Sequence, residues 1–339
     1  MKFNQLLAAS ALLASVTIAQ SAAAATLDTI KERGSLKCGV TNGLTGFSNP
    51  DENGNWEGMD VDVCRALAAA VLDDASKVVY VPTSGKTRFT ALQTGEIDIL
   101  SRVTTWTLSR DTKLGLNFAG VNMYDGQGFM VRKSLGVKTA KELGGASICM
   151  NTGTSTETNI ADYFKANGLK YKTVLFEKSS EVATAYDLGR CDVYTSDKSG
   201  LAAQRLKMKN PDEHIILADT ISKEPLGPAV RHGDDQWFDI VKWTLYALVE
   251  AEELGLNQSN VGSQAASTNP TIARFVGTKG DNGKNLGLDS DWAVKAVQAV
   301  GNYGEVYERH VGEKSKLQIP RGLNKTWKDG GLLYAIPLR

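Results

Sequence analysis

The sequence predicts two similar α/β lobes, and three observations carry that prediction. Residues 91–101 and 185–195, 94 positions apart, repeat one unit: a helix end, a stop at Gly95 or Gly189, and an apolar, β-prone strand. Glycine takes the left-handed conformation that ends a helix at little cost, and an apolar strand after it suits a buried parallel sheet. The 339 residues suffice for two cores. Finally, the chain turns glycine-rich over 118–128 before restarting as a strand, and it returns through 226–231. Two crossings imply a two-stranded hinge.

Residues 1–25 have a charged start at Lys2, an apolar run over 6–18 and a small-residue end, the layout of a secretory signal peptide cleaved after about Ala25. The apolar run falls short of the ~20 residues that span a bilayer. A short helix over 27–33 and a strand over 36–40 open the first lobe. The helix over 60–72 has apolar residues at Val61, Cys64, Leu67, Ala68 and Val71, the spacing of a face packed on a sheet. A strand over 78–81, a helix over 87–94 and a strand over 98–103 complete a βαβαβ start. The second lobe repeats the plan: strands over 129–132, 146–151, 173–176 and 192–195, with helices over 155–166 and 180–188. A returning strand over 226–231 leads into a helix over 235–253. Beyond Gly255 a helix over 290–308 and a tail with Trp327 and Tyr334 read as a cap on the first lobe. The expected division is 26–123 with 225–339 as one lobe and 124–224 as the other.

Composition excludes several functions. Without the leader the chain has 37 basic and 38 acidic residues and no long basic run, which argues against nucleic acid and anionic membranes as partners. His214, His232 and His310 are scattered and no Cys-x-x-Cys occurs, so no metal site is expected. Ser84-Gly85-Lys86-Thr87 resembles half a phosphate loop, but Val81 stands where its first glycine belongs. Asp60 and Asp62, two apart on a helix, do not face each other and read as helix-start acids. Export puts Cys38, Cys64, Cys149 and Cys191 in an oxidising compartment. Pairing Cys38 with Cys64 and Cys149 with Cys191 keeps each bond inside one lobe. Buried thiols are the other reading.

The segments after the two repeated strands differ. Thr104-Thr105-Trp106-Thr107-Leu108-Ser109-Arg110 succeeds the first and Ser196-Asp197-Lys198-Ser199 the second. Ligands of open α/β sheets bind beyond the carboxyl ends of strands. Two facing lobes would thus hold a zwitterion between a cation and an anion.

These pieces, with Gly58-Met59-Asp60-Val61-Asp62 at the first helix and Gly153-Thr154-Ser155 at a later one, resemble in order and spacing the extracellular solute-binding proteins of ABC importers that bind polar amino acids. The resemblance covers about residues 27–250. The extension, with Gly301-Asn302-Tyr303-Gly304-Glu305 and Trp327, is similar to the general L-amino-acid-binding subgroup.

The resemblance implies a type II-like periplasmic-binding-protein fold, a monomer in the periplasm, an L-amino-acid ligand and an inner-membrane ABC permease as partner, with no cofactor. It places Thr105 and Arg110 on the α-carboxylate, Thr154 and Ser155 at a helix start facing the same group, and Asp197 on the α-ammonium. Arginine can grip a carboxylate through two parallel hydrogen bonds. Leu44, Met59, Val103, Phe47 and Trp106 are the expected walls. With no counter-ion for a ligand side chain among them, the pocket is expected to tolerate many amino acids. Each polar residue has a structural alternative: Arg110 as a surface arginine, Asp197, Thr154 and Ser155 as helix caps. An exported dehydratase-like enzyme on the same fold is the competing function, and it would need a cleft acid that only Asp197 could supply. A sensor would need a signalling or membrane-spanning segment after the lobes.

Overall fold

The computed structural model describes residues 25–339; the leader expected over 1–25 lies outside them except for Ala25. Among the described residues no helix is long and apolar enough to cross a membrane.

Two five-stranded sheets form the two lobes. The first runs Val78–Pro82, Leu36–Val40, Ile99–Leu100, Ala229–Arg231, Leu116–Phe118. The second runs Lys172–Phe176, Ser147–Asn151, Val193–Asp197, Gln127–Arg132, His214–Ile216. In both, the first three strands are parallel and the last two antiparallel to their neighbours. Both lobes are therefore laid out alike, as the repeated unit predicts. Parallel strands need helical crossovers, and those helices cover the sheet faces.

Two separate strands join the lobes. Met123–Asp125 and Glu224–Leu226 pair antiparallel, with Glu224 opposite Asp125 and Leu226 opposite Met123. The strand expected over 226–231 is thus two pieces, because the chain leaves the hinge at Leu226 and enters the first sheet at Ala229. The strand expected over 98–103 is also shorter, Ile99–Leu100, since the chain departs from the ladder toward Val103, where φ is +41°.

The helix expected over 290–308 is two helices, Trp292–Val300 and Tyr303–His310. Asn302 starts the second: its side chain accepts from the Glu305 peptide N–H at 2.9 Å, while Glu305 accepts from the Asn302 N–H at 2.8 Å. This reciprocal cap makes a break inside an otherwise helical pattern favourable. Trp292–Val300 packs on Met59–Leu72, and Trp292, Ala296, Val297 and Tyr307 join the first lobe's core. Asp62 is buried there beside Arg65, Arg309 and His310. Burial opposes its charge, but His310 and Arg309 outweigh that and hold the carboxyl below its ordinary pKa.

The tail also reaches the hinge. Asn324 donates to the Tyr124 carbonyl at 3.1 Å and accepts from the Tyr124 N–H at 2.6 Å, and the Tyr303 hydroxyl donates to the Asn122 carbonyl at 2.8 Å. The disulfides join Cys38 to Cys64 and Cys149 to Cys191, each within one lobe.

Candidate ligand-binding site

A cleft of about 890 Å³, measured out to its mouth, opens between the lobes. The loops after the parallel strands supply its walls, as expected for an open α/β sheet. From the first lobe come Thr41 and Leu44 after Leu36–Val40, Ser84 and Arg88 after Val78–Pro82, and Arg102, Val103 and Thr105 after Ile99–Leu100. From the second come Thr154 and Ser155 after Ser147–Asn151, Glu177 after Lys172–Phe176, and Asp197 at the end of its strand.

The lobes touch across this cleft. Ser84 Oγ donates to Glu177 Oε1 at 3.0 Å, Arg88 to the Gly153 carbonyl at 3.4 Å, and the Thr105 and Ser155 hydroxyl oxygens lie 3.3 Å apart. Gly85 makes the rim contact feasible: a Cβ there would sit 2.7 Å from the Thr152 carbonyl oxygen.

The charges are separated across the cavity. Asp197 precedes the helix Lys198–Arg205 but its side chain does not cap it, so the carboxylate is free for another task. Burial, then the Asp125 and Glu224 carboxylates nearby, push its pKa well above the ordinary value. Arg88 and Arg102 stand on the other lobe. Burial draws the Arg102 guanidinium down to about 10, with Asp60 pulling the opposite way. Burial also drives Arg88 well below its ordinary value, helped by repulsion from Arg102 and Arg110. Each has a buried Nε that finds no acceptor among the described residues. Leaving such donors unpaired is costly.

Several expectations are redrawn. Thr105, Thr154, Ser155, Asp197, Leu44 and Val103 line the cleft together. Arg110 does not: it lies behind Thr105, donating to that carbonyl at 2.8 Å, with its guanidinium 5.1 Å over the Phe89 ring. Phe47 and Met59 are not walls but buried core. Trp106 faces elsewhere, stacked on Phe118 at 5.7 Å. Thr154 precedes Ser155–Ala166 without a capping bond, its hydroxyl donating instead to the Asn151 carbonyl at 2.9 Å. Two cations that the expected set of walls did not include, Arg88 and Arg102, also line the cleft.

Arg102 was legible as a charge inside an apolar strand, since arginine is rarely buried without a partner. The kink beside it was not legible. Val103 is β-branched with positive φ, an uncommon state held here by its N–H donating to Asp60 Oδ2 at 3.0 Å. Arg88 gave no signal beyond a place at a helix start. Glu224, buried in the hinge, accepts from side chains of both lobes.

Comparison with known proteins accords with this geometry. Residues 36–259 match the family described as bacterial extracellular solute-binding proteins, family 3. The chain is 59% identical over 339 residues to the general L-amino acid-binding periplasmic protein of Rhizobium johnstonii, covering 99% of each. It is 55% identical over 323 residues to the glutamate/glutamine/aspartate/asparagine-binding protein of Rhodobacter capsulatus, covering 95% of this chain and 96% of that one. A solved periplasmic binding protein from Brucella ovis with glutathione bound superposes with a TM-score of 0.92 at 53% identity, covering 94% of this chain and 100% of that chain.

Proposed function

This chain belongs to the bacterial extracellular solute-binding proteins of family 3, and from that premise we propose that it captures L-amino acids between its lobes in the periplasm and delivers them to an inner-membrane ABC permease. The observation that carries this reading is a two-lobed cleft with Asp197 on one wall and Arg88 and Arg102 on the other. A zwitterion fits that separation. Asp197 accepts from the α-ammonium. The uncapped helix start at Thr154 and Ser155 meets the α-carboxylate, and Arg110 acts from behind by holding the Thr105 carbonyl. Arg88 and Arg102 favour side chains that carry a second acceptor, a carboxylate or an amide, while Leu44 and Val103 tolerate apolar ones. Broad acceptance is thus weighted toward acidic and amide amino acids. Relatives named for general L-amino-acid binding and for glutamate, glutamine, aspartate and asparagine binding support this.

A ligand that touches both lobes favours the closed form by its differential affinity for it. The lobes divide as 26–123 with 225–339 against 124–224, the mature monomer begins at Thr26, and neither disulfide opposes the motion. The test is a thermal-shift screen of the mature protein against twenty L-amino acids, with D-isomers and sugars as controls. Ligand at 100 times its Kd adds about 2.7 kcal/mol to stability. The expected result is shifts with many L-amino acids, largest for glutamate, glutamine, aspartate and asparagine. No shift with any L-amino acid would refute the reading.

A further inference from the structure

We propose that Glu224, a hinge residue outside the cleft lining, is a positioning residue that decides which pole of the ligand the Thr105 and Ser155 hydroxyls recognise. The inference rests on the amino-acid reading above and revises the task expected of those two hydroxyls.

Glu224 is buried on the hinge strand Glu224–Leu226. Its Oε2 accepts from the Thr105 hydroxyl of one lobe and, at 3.0 Å, from the Ser155 hydroxyl of the other. Its Oε1 accepts from Asn159 Nδ2 and from the Ser222 hydroxyl, both at 2.6 Å. A carboxylate only accepts, and it has about four lone-pair sites. All four are taken, and the directions of the bonds are therefore set.

Each hydroxyl has one proton and two lone pairs. With both protons committed to Glu224, Thr105 and Ser155 turn only acceptors toward the cleft. Their oxygens, 3.3 Å apart across the lobe boundary, then have no proton to share between them. A donor is the complement they lack. An ammonium beside Asp197 can donate to both oxygens at once and so link lobe to lobe, whereas a carboxylate there would meet lone pairs. The α-carboxylate must accordingly be met by peptide N–H groups and guanidinium groups. Glu224 thereby makes a free amino group a condition for closure, from a position the ligand does not touch.

Glutamine at 224 reverses the logic, because its amide N–H donates and lets a hydroxyl turn its own proton to the cleft. The experiment measures by calorimetry the Kd of L-glutamate and of glutarate, which lacks the amino group, for the mature wild-type protein, Glu224→Gln and Glu224→Asp. Hydrogen bonds to a charged group correspond to about 10- to 100-fold in affinity. The expected result is that Glu224→Gln lowers the preference for L-glutamate over glutarate by at least about tenfold, while Glu224→Asp largely preserves it. A purely structural role would weaken both ligands alike and leave the ratio unchanged, and that result overturns the inference. Should Glu224→Gln not fold, Thr105→Val and Ser155→Ala decide: loss confined to L-glutamate supports the assignment, and equal loss for both ligands or none overturns it. A wild-type protein that binds no amino acid removes the ligand reading and this inference together, whereas wild-type binding with an unchanged ratio removes the inference alone.

Discussion

The two repeated units are alike well beyond their strands. Gly95 and Gly189 both take positive φ, +76° and +78°, and end their helices with bonds to the Leu92 and Tyr186 carbonyls. Three residues on, Asp98 and Asp192 each accept from a peptide N–H of the adjacent parallel strand, Lys37 at 2.7 Å and Ser147 at 2.8 Å, while their own N–H groups donate to the same residues' carbonyls. An arginine from the neighbouring antiparallel strand closes each unit: Arg231 donates to the Leu92 and Ile97 carbonyls, Arg132 to those of Tyr186 and Cys191. The likeness stops at the strand ends. One strand continues to a carboxylate at Asp197, and the other breaks at Val103 and presents Arg102. The scaffold is duplicated and the chemistry is not, so opposite charges stand on equivalent edges of the cleft.

The disulfides give the largest test of that comparison. Cys38 and Cys149 occupy equivalent strands, the second in the order of each sheet, but their partners differ, Cys64 on a helix and Cys191 beside the repeated strand. The bonds close segments of 26 and 42 residues. Chain entropy predicts about 3.5 and about 4 kcal/mol for loops of these sizes. Replacing either pair by alanine should therefore lower unfolding free energy by nearly equal amounts in urea titrations, with ligand-induced closure retained in both variants. A much larger loss from one pair would mean the lobes are not energetically equivalent.

The pattern of helices and strands was legible because each carries a local signal: glycine stops, apolar periodicity and the helix stripe of Val61, Cys64, Leu67, Ala68 and Val71. The lining of the cleft was legible where it sits on those elements, as with Thr105, Thr154, Ser155 and Asp197. It was illegible where tertiary geometry intervenes. The direction of Arg102 depends on a kink that Asp60 holds from a different helix. Glu224 acquires its partners only when both lobes and the hinge are assembled. Phe47 and Met59 look like pocket walls in sequence, but the same apolar character fills a core, and periodicity does not separate the two uses.

The glycine pair offers a finer test. A Cβ at Gly95 would come no nearer than 4.0 Å to any neighbour, Arg231, and one at Gly189 no nearer than 4.0 Å, to Arg132. Space is open at both, so alanine meets only the backbone penalty for positive φ, about 1–2 kcal/mol. Gly95→Ala and Gly189→Ala should cost the same within about 0.5 kcal/mol in urea unfolding and add when combined. Unequal costs would show that one helix end is supported by contacts the other lacks.

The smallest effect separates two acids, Asp197 at the end of one strand and Asp60, whose helix holds the chain beyond the end of the other. Burial raises Asp60 to about 6, against bonds from the Val103 N–H and Asn122 that favour its charge; burial also raises Asp197. In both cases the folded state holds a proton more tightly than the unfolded chain, so stability falls as pH rises from the unfolded value toward the folded one. For Asp60, moving from pH 7 to pH 5 should add about 1 kcal/mol more stability to wild type than to Asp60→Asn. Asp197 lines the cleft and Asp60 does not. An ammonium on Asp197 demands the ionised carboxylate, so affinity should fall on acidification, while the difference between wild type and Asp60→Asn should persist unchanged at saturating ligand. Urea unfolding at both pH values, with and without L-glutamate, measures both terms. If ligand abolishes the Asp60 increment, the carboxylate behind Val103 is coupled to the cleft, and the two strand ends respond to the ligand as one unit.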